Sequence, residues 1–83
     1  MSVENDVRDH LIEQHRWRGR REELTDDYPL IEGGVVDSMG IFQLVSMIES
    51  RYGVEVDDEE LVRDNFETLR AIARLVGSKV DAS

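Results

Sequence analysis

The sequence predicts an all-α fold: a small four-helix bundle, three main helices plus one short helix, with a long loop between the first helix and the second. Three observations carry that prediction. Apolar residues recur three and four apart in three separate segments, the spacing of helices with one buried face. The nearest approach to a strand, Val54-Glu55-Val56, is too short for a sheet of its own. A length of 83 residues with 40% apolar content supports one hydrophobic core and not two, so residues 1–83 read as a single domain.

The first helix is expected from Ser2 to His15. Val3, Val7, His10, Leu11 and Gln14 share a face, Ser2 is a plausible N-cap, and Glu4 and Asp6 favour the positive end of the helix dipole. Gly19 then breaks the pattern. From Trp17 to Asp37 no periodicity is sustained, and Pro29 and Gly33-Gly34 mark a connecting loop. Trp17, Leu24, Tyr28, Leu30, Ile31, Val35 and Val36 are its candidate anchors onto the helices. The basic run Arg16, Arg18, Arg20 and Arg21 opens this loop and the acids Glu22, Glu23, Asp26 and Asp27 follow, which reads first as a self-neutralising solvated segment.

The clearest helix spans Ser38 to Tyr52. Ile41, Leu44, Val45, Ile48 and Tyr52 form its inward stripe, and Gly53 ends it as a C-cap residue would. Asp57-Asp58-Glu59-Glu60 can start a short turn that carries Leu61 and Val62 inward. Leu69, Ile72, Ala73 and Val76 repeat the helical stripe, with Thr68 as N-cap and Gly77 as stop.

The composition removes several functions. Nineteen acids against ten Lys and Arg give a net charge of -9, which argues against nucleic acid and against an anionic membrane surface. No apolar run approaches the length of a membrane span, and the start Met-Ser-Val-Glu-Asn-Asp lacks the regions of a signal peptide, so a cytoplasmic protein is expected. With no cysteine there is neither a disulfide nor a thiolate metal site, and His10 and His15, five apart, do not share a helix face. The carboxylates from Glu55 to Glu60 lack the alternation and central glycine of a calcium loop. No metal site and no catalytic residue is expected.

One position invites chemistry. Asp37-Ser38 lies where a glycine-containing loop turns into the best helix, so the Ser38 hydroxyl sits at a helix N-terminus, where unpaired N–H groups and the dipole suit a phosphate. The same pair is also an ordinary N-cap. On the outward face of this helix stand Met39, Gln43, Ser46 and Ser50, flanked by Phe42 and Met47. Exposed apolar groups one and four residues beyond the serine suggest a docking surface, unless the loop folds over Phe42 and buries it.

The run from Leu30 to Val45, with Asp37-Ser38-Met39-Gly40 followed by Gln43-Leu44, and then Tyr52-Gly53-Val54-Glu55-Val56, resembles the acyl and peptidyl carrier proteins. Within them it is most similar to free-standing carriers of the D-alanyl carrier protein type and to carriers paired with a stand-alone adenylating ligase. The resemblance extends from about Val3 to Val76. It implies a non-enzymatic, monomeric carrier whose Ser38 receives 4′-phosphopantetheine from coenzyme A through a phosphopantetheinyl transferase. It implies further that an adenylate-forming ligase loads an acyl or aminoacyl group on the arm as a thioester, for a downstream transferase or synthase. Asp37 matches the family residue that assists recognition and metal placement during modification. Met39 stands where the family often has Leu, and Met39, Phe42, Gln43 and Ser46 are the expected docking residues.

Two features depart from that pattern. Many fatty-acid carriers line the second helix with acids, whereas here that face is Met39, Gln43, Ser46 and Ser50, with Glu49 the nearest acid. This weakens a fatty-acid-synthase assignment and favours a carrier recognised mainly through apolar and hydrogen-bonding contacts; the alternatives to a ligase-loaded carrier are a carrier of fatty-acid or polyketide synthesis and an unmodified carrier-like interaction module. The arginine run from 16 to 21 is not a general feature of the family.

Overall fold

A computed structural model describes residues 2–82. Helix α1 is Val3–Glu13, and the Ser2 hydroxyl accepts the N–H of Asn5 at its start, as the sequence predicts. Val7 and Leu11 are buried and Gln14 is exposed, so the inward stripe is narrower than the spacing suggests. The helix stops short of His15 for a local reason. His15 takes a left-handed conformation (φ 60°), its N–H reaches the Ile12 carbonyl, and the Arg16 N–H reaches that of Leu11. That is a Schellman closure with histidine in the place usually held by glycine.

The loop of residues 17–37 contains one turn of 3₁₀ helix, Arg21–Glu23. Its apolar anchors go where the sequence puts them: Leu24, Leu30, Val35 and Val36 enter the core, and Trp17, Tyr28 and Ile31 pack at its margin. Trp17 meets Tyr28 edge to face at 5.0 Å between centroids. Buried backbone in an irregular segment must find partners elsewhere, and here the Leu30 N–H bonds to the Glu67 carbonyl and the Arg70 N–H to that of Asp26. Charged side chains fasten the same segment: Arg8 pairs with Asp26 and bonds the Leu24 carbonyl, Arg21 pairs with Asp9, and Arg70 grips Asp27. The charges of this loop thus cancel mainly against the helices and not within the loop itself.

Helix α2, Ser38–Tyr52, buries Gly40, Leu44 and Ile48, with Ile41, Val45 and Tyr52 packed beside them. Gly53 closes it in the left-handed region (φ 66°), which any other residue enters at a cost. A 3₁₀ turn, Asp58–Glu60, leads to α3, Arg63–Phe66, and then α4, Leu69–Ala82. No strand occurs among the described residues. Helix α4 packs on α1, α2 and α3, and the shared core is filled by Phe66, Leu69, Ile72, Leu75 and Val76 with the residues named above.

Two expectations fail in this half. Leu61 packs against the core, but Val62 is 48% exposed. Val62 is the extended residue before α3, and neighbouring side chains of an extended backbone point opposite ways. Nor does Gly77 stop the last helix, which continues to Ala82 with its apolar face already secured by Leu75 and Val76. A Cβ at Gly77 would meet no atom within 4 Å. Gly77→Ala is therefore expected to stabilise the fold by about 0.5–1 kcal/mol, seen as a raised urea midpoint at unchanged slope.

The Tyr52 hydroxyl donates to Asp6, joining α2 to α1, and Arg51 pairs with the same carboxylate. Burial first, and then this bond, push the Tyr52 pKa from 10.0 up to about 12. A raised pKa means that the fold favours the neutral phenol, so this stabilisation is complete below pH 10 and disappears as the pH climbs to about 12. The expected result is a steeper alkaline loss of stability in the natural chain than in Tyr52→Phe, and equal slopes would remove Tyr52 as the cause.

Candidate functional site

The start of α2 is built by Asp37. Its backbone is extended, its Oδ1 accepts the Gly40 N–H at 2.8 Å, and its carbonyl accepts the N–H of Ile41. The Gly40 N–H, and after it the nearby Arg16 guanidinium, hold the Asp37 carboxyl below its usual pKa, so it is ionised at neutral pH. Ser38 follows as the first helical residue, exposed. Its own N–H and that of Met39 have no partner among the described residues. A serine oxygen so placed lies in the positive field of a 15-residue helix and is open to a reagent from outside.

Around Ser38 the surface is unusually apolar. Met39 is 66% and Phe42 63% exposed, so the preceding loop does not cover Phe42. Gln43 and Ser46 are exposed on the same helix. Glu49, the only acid within α2, turns its carboxylate to the Val56 N–H, which leaves the outward face without a free acid. On the other side of Ser38 an open depression of about 450 Å³ is lined by Ile31, Val36, Ile41, Leu61, Val62 and Arg63. The sequence brings the expected residues together, but it does not reveal that Leu61, Val62 and Arg63 form the far bank of this depression.

Arg16 is also missed. Its Nη1 lies 3.1 Å from Asp37 Oδ1 and its Nη2 3.2 Å from Gln43 Oε1. The signal was the basic run itself, but nothing in the spacing says which arginine reaches across 21 residues. Neither histidine joins this site, and no cluster fit to hold a metal occurs among the described residues. Burial lowers the pKa of His10, which belongs to the packing of α1.

Residues 18–76 match the family described as the phosphopantetheine attachment site, and this span contains all of α2 and α3. The chain belongs to this family of phosphopantetheine carriers. D-alanyl carrier proteins from three strains of Streptococcus thermophilus are each 38% identical to it over 53 residues, which is 61% of this chain and 67% of theirs. A chain in a crystal structure of an FAD-dependent dehydrogenase is 29% identical and superposes with a TM-score of 0.70, over 83% of this chain and 97% of that one. The carrier is of the D-alanyl carrier type, holds 4′-phosphopantetheine covalently, and is not an enzyme. No described helix is long and apolar enough to cross a membrane. The surroundings of Ser38 fit the group: unpaired N–H donors stand beside the hydroxyl for a phosphate, and an apolar depression with an arginine at its rim adjoins it.

Proposed function

We propose that Ser38 is the attachment point, and that the carrier is loaded by an adenylate-forming ligase with an acyl or aminoacyl group for a downstream transferase. The exposed Ser38 hydroxyl at the capped start of α2, flanked by exposed Met39 and Phe42, is the observation that carries this reading. The bound arm supplies a thiol, which this cysteine-free chain lacks, to hold the cargo as a thioester. The residues of the chain do the rest. Asp37 fixes the helix start and keeps a charged carboxylate next to the reacting hydroxyl, where it serves recognition and metal placement by the phosphopantetheinyl transferase. Met39 and Phe42 offer apolar anchors, and Gln43 and Ser46 hydrogen-bonding groups, to the enzymes that visit the arm.

The acid-free face of α2 supports a ligase of the D-alanyl carrier kind over the enzymes of fatty-acid synthesis, which dock through basic patches. The test is the loading of the holo form. A stand-alone adenylating ligase with ATP and amino acids should charge it, and an acyltransferase with malonyl-coenzyme A should not; the reverse result would overturn the ligase reading.

A second downstream reading has its own support. The structural relative lies in a crystal structure of an FAD-dependent dehydrogenase, yet that chain is shorter than this one, too small to enclose a flavin dinucleotide by itself. A dehydrogenase that takes two hydrogens from the carried group onto its flavin is then a partner to try. A loss of two mass units from the loaded carrier, with bleaching of the flavin, would establish it.

A further inference from the structure

We infer that Arg16 is a positioning residue for the modification of Ser38, acting through Asp37. The inference rests on the reading of Ser38 as the attachment point. Its first support is the route by which Arg16 arrives. The left-handed His15 turns the chain sharply at the end of α1, so that the next residue leaves toward the start of α2. Arg16 then crosses that start with the two arms of its guanidinium on different acceptors, Asp37 Oδ1 and Gln43 Oε1. The guanidinium lies close to Gly40, where an added Cβ would sit 3.2 Å from its Cζ and Nη1. A planar fork meets two such acceptors from two separate nitrogens in one fixed geometry, which the single nitrogen of an ammonium group does not reproduce.

The second support is what the contact leaves free. Asp37 Oδ1 takes both the Gly40 N–H and Arg16, and no hydrogen bond from another described residue reaches Oδ2. The carboxylate of the residue before Ser38 is thereby held by other residues through one oxygen alone. Stability does not require this arrangement. The cap is already made by the Gly40 N–H bond to Asp37, the loop is already anchored by Leu24, Leu30, Val35 and Val36, and the Arg16–Asp37 pair, with Asp37 largely exposed, adds little to folding. Orientation of the carboxylate is what remains for Arg16 to do.

The experiment measures transfer of phosphopantetheine from coenzyme A to the full chain by a phosphopantetheinyl transferase, with the carrier varied to separate kcat from KM. Arg16→Ala is expected to lower kcat about tenfold with the carrier KM within about twofold and the urea midpoint unchanged. Arg16→Lys, which keeps the charge but not the two-nitrogen fork, should recover part of the rate. The decisive arm is Asp37→Ser, which keeps an N-cap but is too short to meet Arg16. In that background Arg16→Ala should change kcat less than about twofold, because the residue it acts through is already gone. An unchanged kcat in Arg16→Ala, or the same tenfold loss in both backgrounds, would overturn the role of Arg16 alone. A natural chain that takes no arm on Ser38 would instead remove the attachment reading, and this inference with it.

Discussion

Phe66→Ala is expected to cost about 3–5 kcal/mol, the range for removing a fully buried phenyl ring. Phe66 has no exposed surface, and it ends the four-residue α3, a segment too short to hold its shape by backbone hydrogen bonds alone. For a chain of 83 residues the whole stability is on the order of 4–12 kcal/mol, so the substitution consumes a large part of it. A urea melt should show the midpoint collapse, with a measurable unfolded fraction before denaturant is added. A loss below about 1 kcal/mol would show that the ring is not in the core. The effect reaches the site too, because Arg63 of α3 and the adjoining Leu61 and Val62 wall the depression beside Ser38.

Met39→Asp and Phe42→Asp are expected to do the opposite: to leave the fold within about 0.5 kcal/mol of the natural chain and to cut kcat/KM for modification or loading by about 10 to 100-fold. Both side chains are more than three-fifths exposed, so neither contributes a core contact. Each instead offers apolar area at the centre of a face that has no free acid, and a carboxylate there places a desolvated charge in any interface formed over it. Both variants unfolding at the natural midpoint while reacting slowly is the expected pair of results. Natural rates in both would mean that partners approach Ser38 from another side.

How far the sequence carried these conclusions differs from element to element. Helix α2 was legible from end to end, since its stripe, its N-cap and its C-cap glycine all point to one structure. The loop of residues 17–37 was legible in its anchors but not in its path, because that path depends on Leu30 and Arg70 finding carbonyls far along the chain. Gly77 misled because a glycine near a helix end is a stop only when packing does not carry the helix past it. Val62 turns outward because the chain there is extended, so it cannot share the inward side of Leu61. Ser38 and its apolar neighbours could be named in advance since they lie within five residues of one another. Arg16 could not, because its contact with Asp37 is a product of the tertiary fold and of one left-handed histidine.

The central claim, that Ser38 bears the arm, is tested most directly by locating the modification. After incubation with a phosphopantetheinyl transferase and coenzyme A, the protein is digested and fragmented in a mass spectrometer. A single phosphopantetheine on Ser38, absent from Ser38→Ala, is the predicted result. An arm mapped to Ser46 or Ser50, or a Ser38→Ala chain modified as fully as the natural one, would contradict it.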